Sequence, residues 1–169
     1  MAKEEATGID FTKELDELKK EYQPLQKKYS LPQFEKLAED FDVDRAVYRE
    51  TSFVLRDIRR IISERLSSYL SLFEMLINPT GPPVFFFLII KNLKPEEQKE
   101  IKNIYDILAK IQIRMIKTDI IYEEKLEAEM IKESHIQWQE IKPKIKELIE
   151  SFEKKLDHVF KDEKQGYVG

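Results

Sequence analysis

The sequence predicts an all-α fold, an elongated antiparallel helical bundle of about four to six helices, with long helices near 43–77, 95–127 and 131–160. Three observations carry this. Only 4 of 169 residues are glycine, while 37% are charged, and a chain dominated by Glu, Lys, Ile and Leu favours long helices over sheet. Apolar residues recur three and four apart over most of the chain. The one unbroken apolar block, Val84 to Ile90, has no second stretch to pair with as a strand. The length suits one domain with a real core. We expect a flexible start over 1–8, a single bundle over 9–160 and a flexible tail over 161–169.

The first helix is expected to begin near Asp10, with Thr7 and Asp10 resembling a capping box. Phe11, Leu15, Leu18, Tyr22, Leu25 and Tyr29 hold an a/d seam. Pro24 lies inside it, so a bent helix or two collinear pieces are expected. Ser30-Leu31-Pro32-Gln33 reads as the next start, with Ser30 as cap and Gln33 reaching back. The short helix after it buries Leu31, Phe34, Leu37 and Phe41. Asp40, Asp42 and Asp44 have the spacing of a calcium-loop start but lack its glycine and closing glutamate. They read as a turn and cap.

From Asp42 to Asn78 no glycine or proline interrupts the chain. A helix over 43–77 would be about 52 Å long. Val43, Val47, Tyr48, Val54, Leu55, Ile58, Ile61, Ile62, Leu66, Tyr69, Leu72, Phe73 and Leu76 share one wide arc of it, which suggests contact with more than one neighbour. Asn78 to Pro83 is the clearest break, and a short helix from Pro82 or Pro83 follows. Its apolar surface runs all round, which suggests burial at one end of the bundle ahead of the alternative, a sticky surface for another chain. Pro95 with Glu96 and Glu97 opens the next helix. There Ile101, Ile104, Tyr105, Leu108, Ile111, Met115 and Tyr122 form one stripe, and Ile107, Ile113, Ile116, Ile120 and Ile121 widen it. This helix is expected to lie antiparallel to the one before. Ser134 is the expected cap of the last helix, with Gln137 three residues on. Ile131, Trp138, Ile145, Phe152 and Val159 recur every seven residues and, with Ile141 and Leu148, form its seam, with a bend at Pro143. Whether 95–160 is one bent helix or two stays open at this stage.

One flank of the 43–77 segment stands out. Arg45, Arg49, Arg56, Arg59 and Arg60 fall within about 100° of a helical wheel, and Ser52 and Ser63 lie among them. Arg114 is the only arginine outside 45–65. Guanidinium offers a planar fork of donors that matches carboxylate or phosphate, which lysine does not. These seven residues are the candidate binding surface. A solvated face with intrahelical pairs, or docking against an acidic helix of the same chain, would produce the same pattern.

Other chemistry is thinly represented. With no cysteine, thiolate catalysis, disulfides and Cys-ligated metals are excluded. The two histidines form no Glu-x-x-His pair, and no nucleophile, zincin, kinase or phosphate-loop signature is present. We expect no catalytic residue, no metal and no cofactor. The charged N-terminus and the lack of a membrane-length apolar run suggest a cytoplasmic protein with no membrane span. The net charge of −4 opposes general nucleic-acid binding.

The run Glu50-Thr51-Ser52-Phe53-Val54-Leu55-Arg56-Asp57-Ile58-Arg59-Arg60 and the later Trp138-Gln139-Glu140-Ile141-Lys142 resemble small all-helical archaeal proteins of unknown function. That resemblance implies a helical fold and brings no activity with it. The expected function is a non-catalytic interaction or scaffold protein. It would bind itself, as a homodimer, or another, acidic protein through the arginine face. The alternative is a nucleic-acid or phosphate-ligand module using the same stripe.

Overall fold

The computed structural model describes residues 10–48, 51–81 and 83–165. Among these are six α-helices, one 3-10 helix and no strand: α1 Phe11–Tyr29, α2 Phe34–Phe41, the 3-10 helix Val43–Tyr48, α3 Val54–Ile77, α4 Val84–Lys91, α5 Pro95–Ile120 and α6 Glu124–Gln165. The all-α bundle expected from the sequence is what forms.

Helices α3, α5 and α6 make the central layer. Ser67 of α3 donates to Gln112 of α5, while Arg59 and Arg60 reach Asp119, so α3 and α5 are antiparallel. Arg114 pairs with Glu133, and Lys144 with Glu100, which makes α5 and α6 antiparallel too. Ile58, Ile62 and Phe73 of α3, Ile104 and Leu108 of α5, and Ile131 and Ile141 of α6 fill the space between them. Trp138 lies in this core between the Phe41 and Tyr69 rings. Helices α1 and α2 cover one side. The Tyr22 hydroxyl donates to the Pro32 carbonyl at 2.8 Å, and Leu31, Phe34, Leu37 and Phe41 are buried as expected.

Several boundaries differ from expectation. The long helix begins at Val54, not Val43. Asp42 takes a left-handed conformation (φ 58°) that closes α2, and the next six residues wind as a 3-10 helix. Phe53 is extended. The Thr51 hydroxyl donates to the Asp57 carboxylate and accepts from the Phe53 N–H, so the start of α3 is fixed by a local side-chain bond that competes with helix. Ser30 does not cap α2. It is the left-handed C-cap of α1 (φ 53°), and Gln33 occupies the N-cap position. Asp10 caps α1 by accepting from the Lys13 N–H, whereas Thr7 lies outside the described residues.

The segment 95–160 is two helices. Helix α5 ends at Ile120, short of 127. Helix α6 starts at Glu124, well before 131 or Ser134, and runs to Gln165, into the expected tail. Ser134 is therefore mid-helix and buried. Both Pro24 and Pro143 are carried inside unbroken helices. Each is exposed or near the surface, so the carbonyl it strands remains reachable by water. Pro95 and Glu97 open α5 as expected, and the Glu97 carboxylate accepts from the Lys94 N–H at 2.7 Å. Helix α4 is not buried all round. Phe86 and Ile89 face inward, and Val84, Phe85 and Phe87 are exposed.

Candidate functional site

The arginine flank of α3 is placed by packing on both sides. The C-terminal turn of α5 and the first turn of α6 close over it, because the chain reverses between Ile121 and Glu123. Arg59 is 2% exposed, and its Nε donates to Glu127, itself 0% exposed. Its Nη2 donates to Asp119 Oδ1 at 2.6 Å. Arg60 Nε reaches the same oxygen at 3.2 Å. Arg56 Nη2 lies 3.6 Å from it and donates to the Asp119 main-chain carbonyl at 3.1 Å. Three guanidinium groups from one helix thus converge on one carboxylate. They also cap the negative end of the α5 dipole, where cations are favoured. Arg56 further stacks over Tyr122, 5.7 Å from its ring centre.

The electrostatics follow from that convergence. Burial alone would raise the Asp119 pKa, but the hydrogen bonds and charge of Arg59 and Arg60 hold it below the usual carboxylate range. Glu127 goes the other way: burial pushes its carboxyl up against the pull of Arg59. One Glu127 oxygen, Oε1, is buried without a hydrogen-bond partner.

The remaining candidates are dispersed. Arg45 is exposed and 3.7 Å from Glu64. Ser52 is exposed ahead of α3, and Ser63 is half-buried. Arg49 lies outside the described residues. Two shallow depressions flank the arginines. One contains Arg45, Arg60, Asp57 and Glu64; the other contains Arg59, Arg60, Ser63, Glu64 and Asp119. Each carries carboxylates among its cations, which repel phosphate. The geometry therefore suits holding α5 and α6 against α3 better than gripping an anion.

Two further polar clusters lie elsewhere. Asp40 of α2 is buried and accepts from Lys142 at 2.5 Å and Gln139 at 2.6 Å. Burial would raise its pKa, but these bonds lower it. His135 Nε2 stands 3.7 Å from the same carboxylate, and burial lowers the imidazole pKa against the attraction of Asp40. At the other end of the bundle, Glu97 accepts from Lys155 at 2.7 Å and from Ser151. Burial opposes this, yet the bonds hold Glu97 at about 2. Both clusters tie a short or distant element to α6.

The acids that answer the arginines were only half visible in sequence. Glu127 lies in an acid-rich stretch that invites the pairing. Asp119 follows a run of isoleucines and was missed. Its signal is that it and Asp106 are the only acids between Ile101 and Tyr122. Asp40 was read as part of a turn, and nothing local reveals its contact with a residue about a hundred positions away.

A further exposed apolar surface is on α5. Ile113, Ile116 and Ile120 were expected to widen the buried stripe, but they are 68%, 51% and 78% exposed. Their spacing of three and four puts them on the side of α5 away from the core. On α6, Ile136 is 56% exposed. Between the two helices runs an open groove of about 660 Å³ whose floor includes Ile107 and Ile111 and whose rim includes Lys110, Arg114, Glu133 and Gln137. No helix among the described residues is long and apolar enough to cross a membrane. Comparison with protein families, with curated proteins and with solved structures finds no match for this chain.

Proposed function

We propose that this chain is a non-catalytic helical interaction protein whose contact surface is the outer face of α5. The observation that carries this is the set Ile113, Ile116 and Ile120, exposed over about two turns of helix, with Ile113 on the α6 groove and Ile116 toward the depression against α3. Large β-branched side chains in water cost stability that a partner recovers, and contiguous exposed apolar patches mark interaction sites. The arginine flank serves a different purpose in this reading. Arg56, Arg59 and Arg60 are held by Asp119 and Glu127, so they stiffen the platform that presents α5.

The test is site-specific photo-crosslinking in cells. A benzophenone side chain placed at Ile113 is expected to give discrete protein adducts, while the same group at exposed Lys20 of α1 gives none. No adduct at Ile113 would remove the reading. A salt-sensitive complex with labelled DNA or RNA, lost on Arg45→Ala with Arg60→Ala, would replace it with the phosphate-binding alternative.

A further inference from the structure

Resting on that interaction reading, we infer that the occupant of the α5/α6 face is a second copy of this chain, related by a two-fold axis running along the groove parallel to both helices. Charge decides the partner. Along this face α5 presents Lys110, Arg114 and Lys117, and α6 presents Glu129, Glu133 and Glu140. Asp106 and Lys132 run against this pattern, as does the Glu100–Lys144 pair further along the same seam, with the acid on α5 and the base on α6. A basic helix beside an acidic one is self-complementary under one kind of two-fold only. An axis along the groove lays α5 of one copy on α6 of the other. An axis across the helices would lay acid on acid, which is repulsive.

The register agrees. Arg114 and Glu133 pair within one chain, so they mark equal heights on the two antiparallel helices. An axis parallel to the helices preserves height. At about 1.5 Å per residue it brings Lys117 within about 2 Å of the height of Glu129 in the second copy and Ile113 within about 3 Å of Ile136, while Glu140 falls between the heights of Asp106 and Lys110, about 5 Å from Lys110 and within reach of its long side chain. Four isoleucines, two from each copy, then close over the groove, with opposite charges on its rims. The competing pair within the chain, Lys125 with Glu129, is exposed and 3.8 Å apart, a contact of little strength.

The experiment is sedimentation velocity on the full chain at high micromolar concentration, with two charge-reversal proteins. The wild type is expected to be a dimer. Lys110→Glu with Lys117→Glu, and separately Glu129→Lys with Glu140→Lys, are each expected to weaken it about 100-fold or more. All four positions are exposed, and an unchanged circular dichroism spectrum shows that the fold is kept. Mixing the two variants in equal amounts is expected to restore a dimer, since each supplies the charge the other has lost. A monomeric wild type, a dimer that survives both reversals, or a mixture that stays monomeric would overturn the inference. A monomer whose Ile113 still crosslinks to other proteins overturns this dimer alone and leaves the interaction reading standing. A monomer with no adduct overturns both.

Discussion

Arg59 is the side chain on which the largest single-residue penalty falls. Among the described residues it is the one guanidinium that is fully covered, and it faces a fully covered carboxylate. Removing one member of such a pair leaves an unpaired group in the interior. Arg59→Met is expected to cost about 3–5 kcal/mol in urea unfolding, and adding Glu127→Leu to recover most of it. Arg45→Ala, on an exposed and loosely paired residue, is expected to stay within about 0.5 kcal/mol. Glu97 supplies the pH prediction. Its folded pKa, about 2, lies below the ordinary 4.5. A lowered carboxyl pKa contributes stability that is fully present above the unfolded value and lost as pH falls through the folded one. Unfolding free energy is therefore expected to fall between about pH 5 and pH 2. In Glu97→Gln that acid limb flattens, and stability at neutral pH drops by about 1–3 kcal/mol. At this scale the sequence revealed which residues were chemically unusual but not their partners. The clustering of arginines was legible because it is local along the chain. Their capture by Asp119 was not, because it depends on where the chain turns after Ile120.

At the scale of elements, apolar periodicity identified α1, α3, α5 and α6, and proline with its neighbours marked the start of α5. What misled was capping chemistry read without tertiary context. Ser30 and Ser134 both precede a plausible glutamine partner, yet one ends a helix and the other is buried within one. The 43–77 segment looked continuous because its apolar phase passes through Thr51 and Ser52, where the backbone leaves the helix. Ser134 separates the two readings by experiment. As an N-cap it would lose about 1 kcal/mol on change to alanine. As a mid-helix residue whose buried hydroxyl has no hydrogen-bond partner, it is expected to gain up to about 1 kcal/mol in Ser134→Ala, through better helix propensity and removal of a stranded polar group. Thermal unfolding of this single variant gives opposite signs for the two.

For the whole molecule, the unequal depth of burial predicts unequal stability. Helices α3, α5 and α6 share the continuous interior, and three separate polar ties hold their ends: Arg59 with Glu127, Arg114 with Glu133, and Glu97 with Lys155. Helix α4 has eight residues, of which only Phe86 and Ile89 are fully covered. It joins the bundle through a segment containing Gly81, whose φ of +91° few other residues adopt. A short helix with two anchoring side chains cannot balance the conformational entropy of its own ordering by much. It is expected to open without the rest of the bundle. Native-state amide exchange is the measurement. Amides between Ile101 and Met115 are expected to exchange only through global unfolding, with denaturant dependence to match. Those of Val84–Lys91 are expected to exchange at least about tenfold faster, through an opening that exposes little surface and so responds weakly to denaturant. If α4 exchanged with the slow set, its outward Phe85 and Phe87 would have to be covered in solution, and a contact surface at that end of the bundle would need to be added to the one on α5.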